Sequence, residues 1–169
     1  MKKIATSLTA IFLACLLLAG CGSLDVRNAS EKQFTVEEAT LTLTSAFTQT
    51  TMDGYTGCFD SPTVAVLLLK ESFDLMDGFG DYSLEDYAQL VYQSNASRSP
   101  GEVQQENGLT YLEYEFHNDD DGKDYKYFTS MYKAGTAFWL VQFACETSKY
   151  DDYRPDFIRW AGTVTFSDM

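Results

Sequence analysis

The chain has one histidine, His117, three prolines and four cysteines in 169 residues. A single histidine leaves little room for imidazole catalysis. A Ser/His/Asp or Cys/His centre would need His117 as its base, yet His117 falls on the polar face of an expected strand, beside a turn, with no nucleophile placed next to it. No HExxH and no Gly-rich phosphate loop occur, so zinc-hydrolase and nucleotide-binding readings have no starting point. No cofactor is implied. Basic residues are also scarce, with 12 Lys and Arg against 25 Asp and Glu. A surface of that sign repels nucleic acid and anionic headgroups, so no nucleic-acid partner is expected. Long apolar runs are missing too: residues 4–18 fall short of the roughly 20 residues that a spanning helix requires.

What is present begins at the amino terminus. Met1-Lys2-Lys3 is a short positive region, residues 4–18 are apolar apart from three small hydroxyls, and Leu18-Ala19-Gly20-Cys21 closes the segment. This order is that of a secretory signal. The last four residues resemble the lipobox of bacterial lipoproteins. The resemblance implies cleavage between Gly20 and Cys21 and a thioether-linked diacylglycerol on the Cys21 sulfur. The expected location is the extracytoplasmic face of a bacterial membrane, held there by lipid on Cys21. Each buried methylene contributes about 0.8 kcal/mol, and two or more chains hold stably where one does not. Loss of residues 1–20 removes Lys2 and Lys3 and no acid, leaving 10 basic and 25 acidic side chains, a formal charge of −15. Residues 21–32 read as a flexible tether, small, polar and aperiodic. Its 11 residues after Cys21 would average roughly 18 Å as a coil. Residues 33–169 are then one domain, long enough for a sizeable core.

Abundant aromatics, 12 Phe, 11 Tyr and 2 Trp, argue against disorder and sit largely in alternating patterns. Residues 41–44 alternate cleanly as a half-buried strand. Residues 45–50 read as a turn anchored by Phe47, residues 55–60 as a strand, and residues 64–69 as a strand covered on both faces. Residues 71–81 read as a loop. Ser83 is an N-cap with Asp86 at the third helical position, and Leu84, Tyr87, Ala88 and Val91 share one helical face. Asn107-Gly108 is a hairpin turn between residues 102–106 and 109–117. Strands at 125–133 and 136–145 follow, the latter nearly all apolar and placed centrally. A second helix spans 152–161, with Pro155 expected in its first turn and Gly162 as its stop, before a final strand at 163–166.

Chemistry is thin along this path. Cys58 and Cys145 are candidates for a disulfide, which an exported compartment permits; otherwise they are ordinary buried thiols. Asn118-Asp119-Asp120-Asp121-Gly122 invites a calcium reading, but counting back from Gly122 puts His117 first and Phe128 twelfth, where an EF-hand needs a carboxylate. The stretch reads as an acidic turn. Glu113 and Glu115 share a strand face at close to 7 Å, a separation that suits neither class of glycosidase, and they read as outer-face charges. Tyr111, Tyr125 and Tyr127 suggest an aromatic patch, with core packing as its use.

Three stretches carry a wider resemblance: Leu41-Thr42-Leu43-Thr44-Ser45-Ala46-Phe47, Ser83-Leu84-Glu85-Asp86-Tyr87-Ala88, and Phe138-Trp139-Leu140-Val141-Gln142-Phe143 followed by residues 157–166. Together with the element order they resemble the PsbP-like class, which includes the PsbP subunit of photosystem II, the Mog family of Ran-binding proteins and many small bacterial lipoproteins. The resemblance covers residues 33–166. It implies an α+β fold, an antiparallel sheet flanked by two main helices in an α/β/α sandwich, and a protein that binds or assembles with a protein partner without catalysis. No functional motif of PsbP or of the Ran binders is matched, so no site is carried over. The contrasting expectation is a small cell-surface hydrolase using carboxylates or His117.

Overall fold

The computed structural model describes residues 25–167 apart from 76 and 99. The expected signal segment, the Gly20/Cys21 cleavage point and the lipid site at Cys21 lie outside the described residues. The described chain opens with a single 3-10 turn, Val26–Asn28, and continues as β1 (Glu31–Val36), β2 (Ala39–Thr44), β3 (Thr48–Thr50), β4 (Gly57–Asp60), β5 (Ala65–Ser72), α1 (Leu84–Ser94), β6 (Gln104–Glu106), β7 (Leu109–Asn118), β8 (Lys123–Ala134), β9 (Ala137–Glu146), α2 (Tyr150–Ala161) and β10 (Thr165–Phe166).

Seven strands form one antiparallel sheet in the order β3-β4-β5-β9-β8-β7-β6, with the apolar β9 at its centre as expected. Alternation along β9 sends Phe138 and Leu140 to one face and Trp139, Val141, Phe143 and Cys145 to the other. On the first face, Tyr87, Ala88 and Val91 of α1 meet Leu112, Met131 and Phe138, and the Tyr87 ring stacks on Phe138 at 4.2 Å. The start of α1 is fixed by a reciprocal capping box: Ser83 accepts from the Asp86 N–H while the Asp86 carboxylate accepts from the Ser83 N–H. On the second face, α2 packs Phe157 and Trp160 against Phe143.

The single sheet expected from the sequence is in fact two. β1, β2 and β10 form a separate three-stranded sheet, order β1-β2-β10, lying in the same layer as α2. Phe34 of β1 meets Phe59 of β4 at 4.8 Å and Phe166 of β10 meets Trp139 at 5.5 Å. The apolar face of this small sheet therefore covers what one helix is too narrow to cover. The hydroxyl of Thr163 accepts the Thr42 N–H at 2.9 Å and ties the end of α2 to β2.

Other expectations need correction. The tether does not reach residue 32: Val26 is fully buried, the Thr44 hydroxyl donates to its carbonyl at 2.7 Å, and β1 begins at Glu31. A lone apolar side chain acting as a plug leaves no periodic signal. Residues 48–50 extend the large sheet rather than turning, and β5 continues through Ser72. α2 starts at Tyr150 after a 3-10 turn, Thr147–Lys149, so Pro155 lies inside the helix, past its first turn. The carbonyl that its missing N–H leaves without a helical donor is that of Asp151, an exposed residue. Gly162 ends the helix in a right-handed conformation, so positive φ is not its role. At the β6–β7 hairpin, by contrast, Asn107 and Gly108 both take positive φ, 52° and 78°, as the turn chemistry requires.

Gly57 sets the approach of the two sheets. A Cβ at that position would stand 2.9 Å from Val36 Cγ2. Gly57→Ala is expected to lose about 1–3 kcal/mol by overpacking, read as a lower urea midpoint. In a Val36→Ala background the further loss from Gly57→Ala should be much smaller.

Candidate functional site

Among the described residues no three His, Cys, Asp or Glu side chains converge as a cation site. The chemistry-bearing groups are scattered over the fold. His117 is solvent-exposed at the end of β7. Its Nδ1 faces Asp124 Oδ1 at 2.7 Å and its Nε2 lies 3.8 Å from Asp119. The hydrogen bond with Asp124, with the charges of Asp119 and Asp121 behind it, holds the imidazole above its ordinary value. The residues that answer His117 are thus the acids of its own turn. That turn is internally satisfied: the Asn118 carbonyl accepts the Gly122 N–H, and Asp121 accepts from the Tyr125 hydroxyl at 2.6 Å.

Glu113 and Glu115 differ from one another. Glu113 accepts from Arg154 Nε at 2.7 Å, and Arg154 Nη2 donates to the Tyr111 hydroxyl at 3.0 Å, which in turn donates to Glu106. Lys126 stands between the two acids, 3.9 Å from Glu113 and 3.8 Å from Glu115. Glu113 is therefore half-buried under α2 and acts as the seat of Arg154, a contact that helix spacing and strand spacing do not reveal separately. The Tyr150 hydroxyl is buried beside Glu113, and burial, with the charge of Glu113, pushes it well above the usual phenol range. His117, four residues along β7 from Glu113, is about 13 Å away, so Glu113 and the imidazole are not brought together.

The expected tyrosine patch divides. Tyr111 stands opposite Ser130, whereas Tyr127 stands opposite Tyr114 and Tyr125 opposite Phe116. Tyr125 and Tyr127 therefore share the α1 face, with Tyr127 stacked on Tyr114 at 4.8 Å, while Tyr111 belongs to the α2 face.

Cys58 and Cys145 are both free and buried, so the candidate disulfide is not formed. Cys58 stands opposite Leu67, and Leu67 opposite Gln142. Cys145 is three residues beyond Gln142 and so points to the opposite face of the sheet. Burial pushes the Cys145 thiol up to about 12 and raises that of Cys58. Neither is a thiolate nucleophile at neutral pH.

The group that sequence reading missed is Glu71, placed in an expected loop but found on β5 opposite Phe138. The Tyr87 hydroxyl donates to its carboxylate at 2.5 Å. Burial pushes the Glu71 carboxyl up, and the Tyr87 bond offsets only part of that. The pair closes the docking of α1 on the sheet. Glu71 stands between Lys70 and Ser72, so no apolar pattern marked the continuation of β5.

No protein-family model matches this chain, and no curated protein matches it. Solved structures do. CyanoP, the cyanobacterial PsbP of Synechocystis, superposes with a TM-score of 0.50 at 11% identity, covering 89% of this chain and 99% of that one. LpqN, described as involved in cell envelope biogenesis of Mycobacterium tuberculosis, gives 0.51 at 9% identity, covering 82% and 91%. A Bacteroides thetaiotaomicron protein gives 0.52 at 12%, covering 81% of this chain and 48% of its own. At such identities the likeness is one of fold. The domain has the PsbP-like α+β fold, two helices flanking antiparallel sheet.

A carboxyl raised in the folded state stabilises the fold while protonated, and that contribution is lost as pH rises through its folded value. Glu71→Gln keeps an acceptor for Tyr87 and removes the titration. It should raise the urea midpoint at pH 7.5, and the gain should shrink toward nothing at pH 4.

Proposed function

We propose that this protein is an extracytoplasmic lipoprotein, anchored through Cys21, whose PsbP-like domain is a noncatalytic binding or assembly module for a protein partner. The observation that carries the reading is the lipobox Leu18-Ala19-Gly20-Cys21 set four residues ahead of Asp25, where the described domain begins. A signal, a lipid site and a folded domain follow one another with almost no spacer. The fold shared with CyanoP and with LpqN, a cell-envelope protein by its description, is in keeping with an exported module. The noncatalytic part rests on how the polar side chains are used. His117 is engaged by the acids of its own turn, the two thiols are buried, and Glu113 seats Arg154.

In cells, the wild-type chain should partition with the membrane fraction and incorporate labelled fatty acid. Cys21→Ser should abolish the label and shift the protein to the soluble or uncleaved form. A wild-type chain that takes up no labelled fatty acid would refute the lipid anchor. Crosslinking in the native membrane, followed by identification of the captured protein, tests the binding role.

A further inference from the structure

The two ends of the sandwich can be told apart relative to a bilayer, given the lipid anchor proposed above, on which this inference rests. Cys21 and Asp25 are four residues apart, so the sulfur stands at most about 14 Å along the chain from Asp25. The turn Val26–Asn28 is not a loose leader. Val26 is fully buried, Arg27 Nη1 donates to the Asp152 carbonyl at 3.2 Å, and its guanidinium lies over the Tyr153 ring at 5.0 Å. Tyr153 in turn bonds Thr63 at 2.8 Å. The anchor is therefore seated on the end of the sandwich that holds the first turn of α2 and the β4–β5 turn. The β7–β8 turn belongs to this same end, tied to it by the Lys123–Glu146 ion pair. The other end holds the β8–β9 turn and residues 73–75, where the Phe73 N–H donates to the Thr136 carbonyl at 2.9 Å. β8, 12 residues long, runs between the two ends and spans about 40 Å.

We infer that the Val26–Asn28 turn, the start of α2 and the β7–β8 turn form the end of the domain nearer the membrane, and that the β8–β9 turn is the end farther from it. The reach of the anchor is well short of the length of β8, so the ends cannot exchange. Leu75, 66% exposed, then stands at the far end.

The test uses the full lipidated chain, purified from membranes and reconstituted into vesicles of phosphatidylethanolamine and phosphatidylglycerol with headgroup-labelled acceptor lipid. A fluorophore is placed on Asp120→Cys or on Thr136→Cys, both exposed positions. Cys58 and Cys145 are buried and stay unlabelled. Energy transfer to the acceptor should be strong from Asp120→Cys and several-fold weaker from Thr136→Cys. Equal transfer from the two positions, or stronger transfer from Thr136→Cys, overturns the orientation while leaving the anchor intact. A wild-type chain that does not float with the vesicles overturns the anchor and the orientation with it.

Discussion

Burial of β9 on both faces is the constraint from which the rest of the structure follows. Its side chains supply both cores, Phe138 and Leu140 beneath α1, and Trp139, Val141 and Phe143 beneath α2 and the small sheet. Each of these large side chains contributes roughly 1.5–3 kcal/mol when fully covered. A strand apolar on two sides must have a layer on each, and one helix cannot cover a seven-stranded sheet. The uncovered width on the α2 side is what β1, β2 and β10 fill.

The few cations of this acidic chain serve as clamps between those layers. Lys70 on β5 reaches Glu37 at 2.8 Å and Glu38 at 2.7 Å in the β1–β2 turn, and its ammonium lies 5.4 Å from the Trp139 ring. Burial works against the Glu38 carboxylate, yet the Lys70 hydrogen bond and charge keep it below its ordinary value. Lys133 donates to the carbonyls of Gly80 and Tyr82 and so fastens the residues leading into α1. Arg154 ties α2 to β7 through Glu113, and Arg27 ties the start of the described chain to α2. Each joins elements distant in sequence, Lys70 and Arg154 through carboxylates and Lys133 and Arg27 through backbone carbonyls.

Much of the fold was legible before any coordinates. The period-2 pattern at residues 41–44, the Ser83 and Asp86 cap, Asn107-Gly108 and the apolar stretch at 136–145 are local signals, and each element they name is present. Boundaries and partners were less legible. The same spacing that places β10 after α2 does not say which sheet it joins. Pro155 is expected in a first turn because a local rule confines it there; inside α2 the carbonyl it leaves without a donor is that of the exposed Asp151. Of the site residues, His117 beside an acidic turn was read as found. The Cys58 and Cys145 pairing failed because strand parity, counted through two neighbouring strands, puts the thiols on opposite faces.

By itself the sequence determined the main caps and turns and the alternation that makes β9 central, because each depends on residues a few positions apart. Only the tertiary structure decided that the sheet divides in two, that Val26 plugs one end of the sandwich, and that Glu71 meets Tyr87 and Glu113 meets Arg154. Those outcomes depend on which surfaces need covering and on contacts between residues 16 to more than 100 positions apart, and no local pattern carries that information.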